Sequence, residues 1–117
     1  MIKVFGSGRM TRDPEMKYSE KGTPYLVIGV ASDDFDGEKF TVWISLTIFG
    51  KAAEFINNYG AKGSSVVYTG RIKVDSKTGN PRVYEAKDGA HKASLEAIVD
   101  TIELVGPAAK KEEAAQP

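Results

Sequence analysis

The sequence of 117 residues has no cysteine and a single histidine, His91. Without cysteine, disulfide bonds and thiolate metal sites are excluded. One histidine cannot by itself form a metal site or a catalytic relay. His91 lies in a polar segment that contains lysine, which is typical of a solvated side chain. We therefore expect neither a metal ion nor any other cofactor.

Long apolar segments are also missing. No run of 18 apolar residues is present, so no membrane-spanning helix is predicted. The first ten residues, MIKVFGSGRM, lack the layout of a signal peptide, and we expect an intracellular protein with no membrane partner. The 16 basic and 16 acidic residues give a net charge of zero, but their distribution matters more than their sum. Acidic residues concentrate at 32–38 and after Glu96, so a basic face elsewhere is compatible with this sum.

Motifs for catalysis are absent as well. The glycines of residues 6–12 do not have the spacing of a phosphate-binding loop. The acidic segment 33–38 lacks the twelve-residue ligand spacing of a calcium loop. No nucleophile and base, and no pair of carboxylates, is singled out by the sequence. We therefore predict a non-catalytic protein.

Alternating apolar residues predict short strands. The segment 52–59 instead has apolar residues at helical spacing and predicts one helix, ending at Gly60 with a left-handed cap. A turn at 75–80 predicts a hairpin that returns as a strand at 81–86. Residues 32–38 and 85–94 are predicted to be loops. The predicted barrel or sheet strands cover residues 2–10, 25–32, 39–51, 64–74 and 94–106.

This order of elements leaves two folds open. One is a partly closed Greek-key barrel of the oligonucleotide/oligosaccharide-binding type, known as the OB-fold. The other is an open α+β sheet. The pattern of strands and helix alone does not choose between them.

The third predicted strand raises the question of function. Side chains alternate along a strand, so Phe40, Val42, Ile44, Leu46 and Ile48 form one apolar face. The other face carries hydroxyl side chains together with Trp43 and Phe49. These two aromatics are about 20 Å apart along an extended strand, which suits the stacking of bases of a single-stranded nucleic acid. Burial of the aromatics against a second layer or another subunit is the alternative.

Basic residues near these aromatics favour a groove for nucleic acid. Lys3 and Arg9 lie on the first predicted strand, Arg71 and Lys73 on the fourth, and Lys51 directly follows Phe49-Gly50. Cations beside stacking aromatics neutralise phosphates while the bases stack. The alternative is that each cation only solvates an exposed face. Phe35, in the acidic segment, is either a stacking residue or a plug that folds onto the barrel.

Four segments in order resemble the bacterial single-stranded DNA-binding protein family. They are GRMTRDPEMKYSEKGTP (8–24), WISLTIFGKAAEF (43–55), YGAKGSSVVYTGRI (59–72) and RVYE (82–85). Their specific features are the DPE-x-K-Y, W-x5-FGK and KG-x2-V-x3-G-R motifs. The resemblance covers residues 2–106.

The resemblance implies an all-β OB-fold: a five-stranded Greek-key barrel with one short helix between strands 3 and 4 and a hairpin extension. The binding domain would span residues 1–106, followed by a short disordered tail, 107–117. The implied function is non-enzymatic, largely sequence-independent binding of single-stranded DNA in replication, recombination and repair. The implied assembly is a homotetramer, with a dimer as the alternative. The location would be the cytoplasm or nucleoid, with an organelle also open.

The resemblance also assigns residues. Trp43 and Phe49 correspond to stacking residues of the family, and Phe35 lies where another stacking aromatic is common. Together with the cations found from the pattern, the expected phosphate contacts are Lys3, Arg9, Lys17, Lys51, Lys62, Arg71 and Lys73.

Three features depart from the family pattern. The hairpin at 75–80 is short and carries no aromatic residue, so one stacking platform is missing. Ile44 replaces a polar residue that some members have at a subunit contact, which leaves the oligomeric state less determined. The sequence ends without the acidic, aromatic-ended tip that recruits replication and repair enzymes. This predicts a phage, plasmid, organellar or paralogous member, or a shortened chain, and leaves protein partners undetermined.

Overall fold

The structure, a computed structural model, describes residues 1–81 and 83–105. Arg82, the end of the last predicted strand at Gly106 and the predicted tail lie outside these residues. In chain order the elements are β1 (Lys3–Met10), β2 (Lys17–Tyr18), β3 (Pro24–Asp36), β4 (Glu38–Phe49), α1 (Gly50–Tyr59), β5 (Ser65–Lys73), β6 (Val83–Glu85), β7 (His91–Ala93) and β8 (Glu96–Val105). No helix among the described residues has the length and apolar character needed to cross a membrane.

Five strands form a closed barrel. The sheet order is β1-β5-β8-β4-β3, with the short β2 added beside β3, and the pairing of β1 with β3 closes the ring. β4 and β8 are parallel, while the other barrel pairs are antiparallel. Helix α1 connects the third and fourth barrel strands. The predicted OB-fold is confirmed, and the open α+β sheet is excluded.

Gly8 permits the barrel to close. Here β1 passes from its partner β5 to its partner β3, and Arg9 pairs with both Ser65 and Ala31. A Cβ atom on Gly8 would lie 2.5 Å from the carbonyl oxygen of Ala31 and 2.6 Å from Cγ1 of Val30. Because no side chain fits between strands at this separation, glycine is required at the closure point.

Inward-facing residues of the strands fill the barrel. Its core includes Leu26, Ile28, Leu46 and Ile48, and each such buried side chain stabilises the fold by roughly 1.5–3 kcal/mol. Helix α1 contributes Ala53 and Ile56 to the same cluster. Tyr68 is also buried, and this burial raises the pKa of its phenol above the usual value.

The predicted loop at 32–38 is instead a β-ribbon. β3 and β4 remain paired from Tyr25 and Phe49 to Asp36 and Glu38 at the tip, where Gly37 makes the turn at φ 78°. This places Phe35 on a strand. The ribbon tip extends past the pairing of β3 with β1, which reaches only Ala31.

The apolar face predicted for β4 is therefore buried only in part. Ile44, Leu46 and Ile48 are in the core, but Phe40 is 45% exposed. Strand alternation predicted which residues share a face correctly. It could not show that the ribbon continues beyond the part of the sheet that borders the core.

The predicted hairpin after β5 is wrong in its pairing. The turn at 75–80 forms, with the Asp75 N–H donating to the Asn80 carbonyl at 2.9 Å. The strand that follows, β6, pairs with β7 rather than with β5. β7 lies in the segment predicted as a loop, and β5 instead pairs with β1 and β8.

The helix is confirmed, but its predicted left-handed cap is wrong. Gly60 has an extended backbone, with φ −87° and ψ 153°, and its N–H donates to the Ile56 carbonyl at 2.8 Å. The left-handed backbone occurs at Gly50, with φ 68°, where the chain turns from β4 into α1. Glycine is favoured at position 50, the first residue of α1, because it adopts a positive φ without a steric penalty.

Candidate nucleic-acid interface

The outer face of the β3–β4 ribbon presents the aromatics of the W-x5-FGK segment. Trp43 is 64% exposed and Phe49 is 48% exposed. Thr41, Ser45 and Thr47 have the same strand parity, so hydroxyl side chains lie between and beside the two rings. The face therefore combines large planar groups with a small polar floor.

A first cross-strand row connects Trp43 to a cation. Ala31 is paired with Trp43 on one side and with Arg9 on the other. Residues directly opposite each other share a face, and two strand spacings place the backbones of Arg9 and Trp43 roughly 10 Å apart. The short side chain of Ala31 leaves the space between the indole and the guanidinium open.

This row borders a groove of about 730 Å³. The groove joins the outer surfaces of β1, β3, β4 and β5. Its lining residues include Ser7, Arg9, Asp33, Lys39, Thr41, Trp43 and Val67.

Trp43 also borders a second, smaller groove of about 230 Å³. Ser45, Ala93 and Leu95 line it, and the Leu95 carbonyl accepts a hydrogen bond from the Ser45 N–H at 3.0 Å. The indole therefore has open space on two sides. Such a position allows a planar ligand to approach from either side.

A second row repeats this arrangement at Phe49. Tyr25 is paired with Phe49 and with Lys17. The centroids of the Tyr25 and Phe49 rings are 6.0 Å apart, with the ring planes at 37°. This distance is within the range of favourable aromatic pairs. Tyr25 thus holds the Phe49 ring from one side, with the Lys17 cation beyond it.

The ribbon tip supplies a third aromatic with a cation opposite it. Phe35 is 71% exposed and is paired directly with Lys39. The Lys39 Nζ atom is 3.3 Å from Oδ2 of Asp33. Phe35, Trp43 and Phe49 have matching parity in the paired ribbon, so all three rings lie along one face.

Two further predicted cations lie beside α1. Lys51 is exposed in the first turn of the helix, two residues after Phe49. Lys62 follows the helix, and its backbone N–H donates to Oδ1 of Asp13 at 2.8 Å. Lys51 adjoins the Phe49 row, while Lys62 does not line either groove at Trp43.

The remaining predicted cations lie elsewhere on the barrel. Lys3 is paired across strands with Arg71 and forms an ion pair with Asp100. Lys3 is six residues from Arg9, or about 20 Å along β1. Lys73 is paired with Glu96, which is in turn paired with Ser45 of β4. The structure therefore brings Arg9, but not Lys3, Arg71 or Lys73, to the groove at Trp43.

Tyr25, Ala31 and Lys39 belong to this face but were not predicted as site residues. Lys39 has the parity of Trp43 and could have been found from the alternation alone. Tyr25 and Ala31 could not, because their role depends on the register between β3 and β4. Within the described parts of the chain, no three His, Cys, Asp or Glu side chains are placed so that they could hold a metal ion together.

The fold and this surface define an OB-fold domain with an outer face of exposed aromatics and cations. The model of the single-strand binding protein family matches residues 1–105. The chain belongs to this family.

Curated relatives agree with the family match. The chain is 33% identical over 109 residues to the single-stranded DNA-binding protein of Clostridium tetani, covering 90% of this chain and 70% of that protein. It is 32% identical over 104 residues to single-stranded DNA-binding protein 1 of Staphylococcus aureus, covering 86% and 62%. It is 30% identical over 110 residues to the single-stranded DNA-binding protein of Neisseria meningitidis, covering 89% and 59%. The chain thus spans 59% to 70% of the length of these three relatives.

Proposed function

We propose that the protein binds single-stranded DNA without catalysing a reaction and largely independently of sequence. The exposed Trp43 indole supports this proposal most strongly, because it has open space on two sides and Arg9 across the groove. Family membership and the names of the relatives support the same ligand.

Binding combines stacking and neutralisation. Bases stack on Trp43, Phe49 and Phe35. Each stacked base contributes roughly 1–3 kcal/mol to binding, a general range for which single-strand binding proteins are among the known examples. Every base has a π-face, so stacking discriminates little between sequences. Duplex DNA is disfavoured because its bases already stack on one another.

Phosphates are neutralised by cations that flank these aromatics. Arg9 lines the groove at Trp43, while Lys17 and Lys51 lie beside Phe49. Lys39 lines the same groove, but it is ion-paired with Asp33. A strand that follows the ribbon passes all four cations. Contacts with Lys3, Lys62, Arg71 and Lys73 require a longer strand that continues around the barrel.

The protein is proposed to act in DNA replication, recombination and repair. Coating of exposed single strands protects them and keeps them unpaired. These processes place the protein in the cytoplasm or at the nucleoid.

Self-association is proposed as well, with a tetramer as the assembly and a dimer as its building unit. The Ile72 N–H donates a hydrogen bond to the Ile2 carbonyl at 2.9 Å, so the backbone groups of Ile2 face β5. Because these groups alternate in direction along an antiparallel strand, those of Lys3 and Phe5 point away from β5. In the described chain, no strand pairs with this edge of β1 before Arg9. Such an edge favours pairing with the β1 of a second copy.

The outer surface beside that edge offers a second contact. Phe5 is 79% exposed. The basic Lys3 lies two residues before it on β1, and Arg71 of β5 is paired with Lys3. Two acidic residues, Asp100 and Glu103, lie on β8. Two such faces related by a two-fold axis can align basic with acidic residues. Two different two-fold contacts, edge and face, generate a closed tetramer.

Fluorescence anisotropy with labelled oligonucleotides tests the binding function. We expect oligo(dT) to bind, duplex DNA of equal length to bind far more weakly, and affinity to fall as salt rises because phosphate contacts release counterions. Oligo(U) in parallel measures any binding to RNA. Absence of oligo(dT) binding at low salt, with the folded barrel confirmed by circular dichroism, would contradict the proposal.

A further inference from the structure

Asp33 places a carboxylate inside the groove at Trp43. It lines the same groove as Arg9 and Lys39. Asp33 is two residues along β3 from Ala31, the residue paired with Trp43, and is therefore a diagonal neighbour of the indole. Diagonal neighbours on one face are about 7–8 Å apart at the backbone, within reach of a long or aromatic side chain.

A carboxylate here is unexpected, because the groove is proposed to bind phosphates. Lys39 offsets its charge, with Nζ 3.3 Å from Oδ2. Among the residues that the structure describes, none donates a hydrogen bond to the other oxygen, Oδ1. The Asp33 side chain remains 58% exposed. The pair is thus close to neutral overall but keeps a hydrogen-bond acceptor facing the groove.

We propose that Asp33 gives the Trp43 site a preference for cytosine over thymine, an inference that rests on the proposed binding of single-stranded DNA. A base stacked on the indole directs its edge toward the diagonal neighbours. Cytosine presents the N4 amino group, from which an aspartate accepts a hydrogen bond. Thymine presents the O4 carbonyl at the same position, which offers no proton and faces the carboxylate with like partial charge.

Lys39 and Thr41 complete this arrangement. Thr41 is paired with Asp33 and supplies a hydroxyl at the same level of the ribbon. Lys39 holds one carboxylate oxygen and so orients the other. The base at Phe49 has no such neighbour, because Phe49 and Tyr25 have only Val27 and Thr47 as the next pair on their face. Binding therefore remains sequence-tolerant over the whole site.

The test compares wild-type protein with Asp33→Asn, which has nearly the same shape. An asparagine amide can accept from cytosine or donate to thymine, so discrimination should be lost. Dissociation constants are measured for short oligo(dC), oligo(dT) and oligo(dU) above pH 7.5, where cytosine is neutral. Oligo(dU) separates the effect of O4 from that of the thymine methyl group. We expect the dC-to-dT affinity ratio to fall roughly three- to tenfold in the variant, near the lower end for a single base contact.

Asp34→Asn is the matched control. It removes the same charge one residue away, but alternation directs Asp34 to the other face of the ribbon, opposite Phe40. Its Oδ1 accepts the Phe35 N–H at 2.8 Å, a bond that asparagine can keep. We expect the affinity ratio to remain that of the wild type.

The outcomes separate this inference from the proposed function. If Asp33→Asn changes the affinity for dC and dT by the same factor, Asp33 acts only through charge and the base preference is overturned. The preference is also overturned if Asp34→Asn lowers the ratio equally. If the wild-type protein binds none of the oligonucleotides, the proposed function itself fails.

Discussion

Arg9 and Lys3 lie on the same outer face of β1, but their surroundings differ. Arg9 is in register with Ala31 and Trp43 and lines the groove at the indole. Lys3 is at the other end of the strand and is ion-paired with Asp100. A sequence pattern gives both residues the same face and charge, so their different roles depend on strand register.

A pair of substitutions tests this difference. We expect Arg9→Gln to weaken binding of a short oligo(dT) and to reduce the slope of log affinity against log salt by about 1, since one phosphate contact is removed. Lys3→Gln should change both quantities much less, because Lys3 is distant from the groove and already paired. Anisotropy titrations at several salt concentrations measure the two slopes. A larger effect of Lys3→Gln would contradict the placement of the site.

Part of the site could be predicted from the sequence, residue by residue. The period of two along β4 separated Trp43 and Phe49 from the buried Ile44, Leu46 and Ile48. It could not reveal the rows that connect these rings to Arg9 and Lys17. Those rows depend on long-range register, which a single strand does not encode.

Among the elements, β1 has the most varied environment. One edge pairs with β5 along the strand, and the other pairs with β3 only at Arg9 and Met10. Its outer face carries the exposed Phe5. Phe5 does not line the groove at Trp43, although Ser7 and Arg9 of the same strand do. We therefore expect the proposed self-association through the Phe5 face to leave Trp43 accessible.

Substitution of Phe5 tests the face contact. We expect Phe5→Lys to convert tetramers into dimers, because it replaces the apolar ring of the face contact with an additional charge while the backbone edge remains. Sedimentation equilibrium measures the mass. Phe35→Lys is the control, since Phe35 is similarly exposed but lies on the ribbon tip, and should leave the mass unchanged. A wild-type protein that sediments as a single chain at all concentrations would contradict self-association.

Two strands differ from what the local sequence predicted. The turn at 75–80 formed as predicted, yet the strand after it pairs with β7. A turn fixes the direction of the chain but not the partner of the next strand. Polar side chains at 32–38 predicted a loop, but continued pairing of β3 with β4 extends the ribbon through them. Backbone hydrogen bonds to a neighbouring strand outweigh the low strand propensity of aspartate.

For the whole molecule, the order of strands and helix was enough to propose a barrel but not to choose it over an open sheet. Closure depends on contacts between distant segments, such as Gly8 against Val30 and Ala31. The family motifs favour the closed barrel over the open sheet. The closed barrel then provides a rigid support that holds Trp43, Phe49 and Phe35 on one face.

The fluorescence of Trp43 tests directly whether its indole stacks with DNA bases. Trp43 is the only tryptophan, so its emission reports on this one position. Emission is recorded during titration with oligo(dT), while anisotropy of a labelled oligonucleotide measures occupancy independently. Strong quenching that follows occupancy is the predicted result. Unchanged emission at confirmed saturation would contradict the stacking role of Trp43.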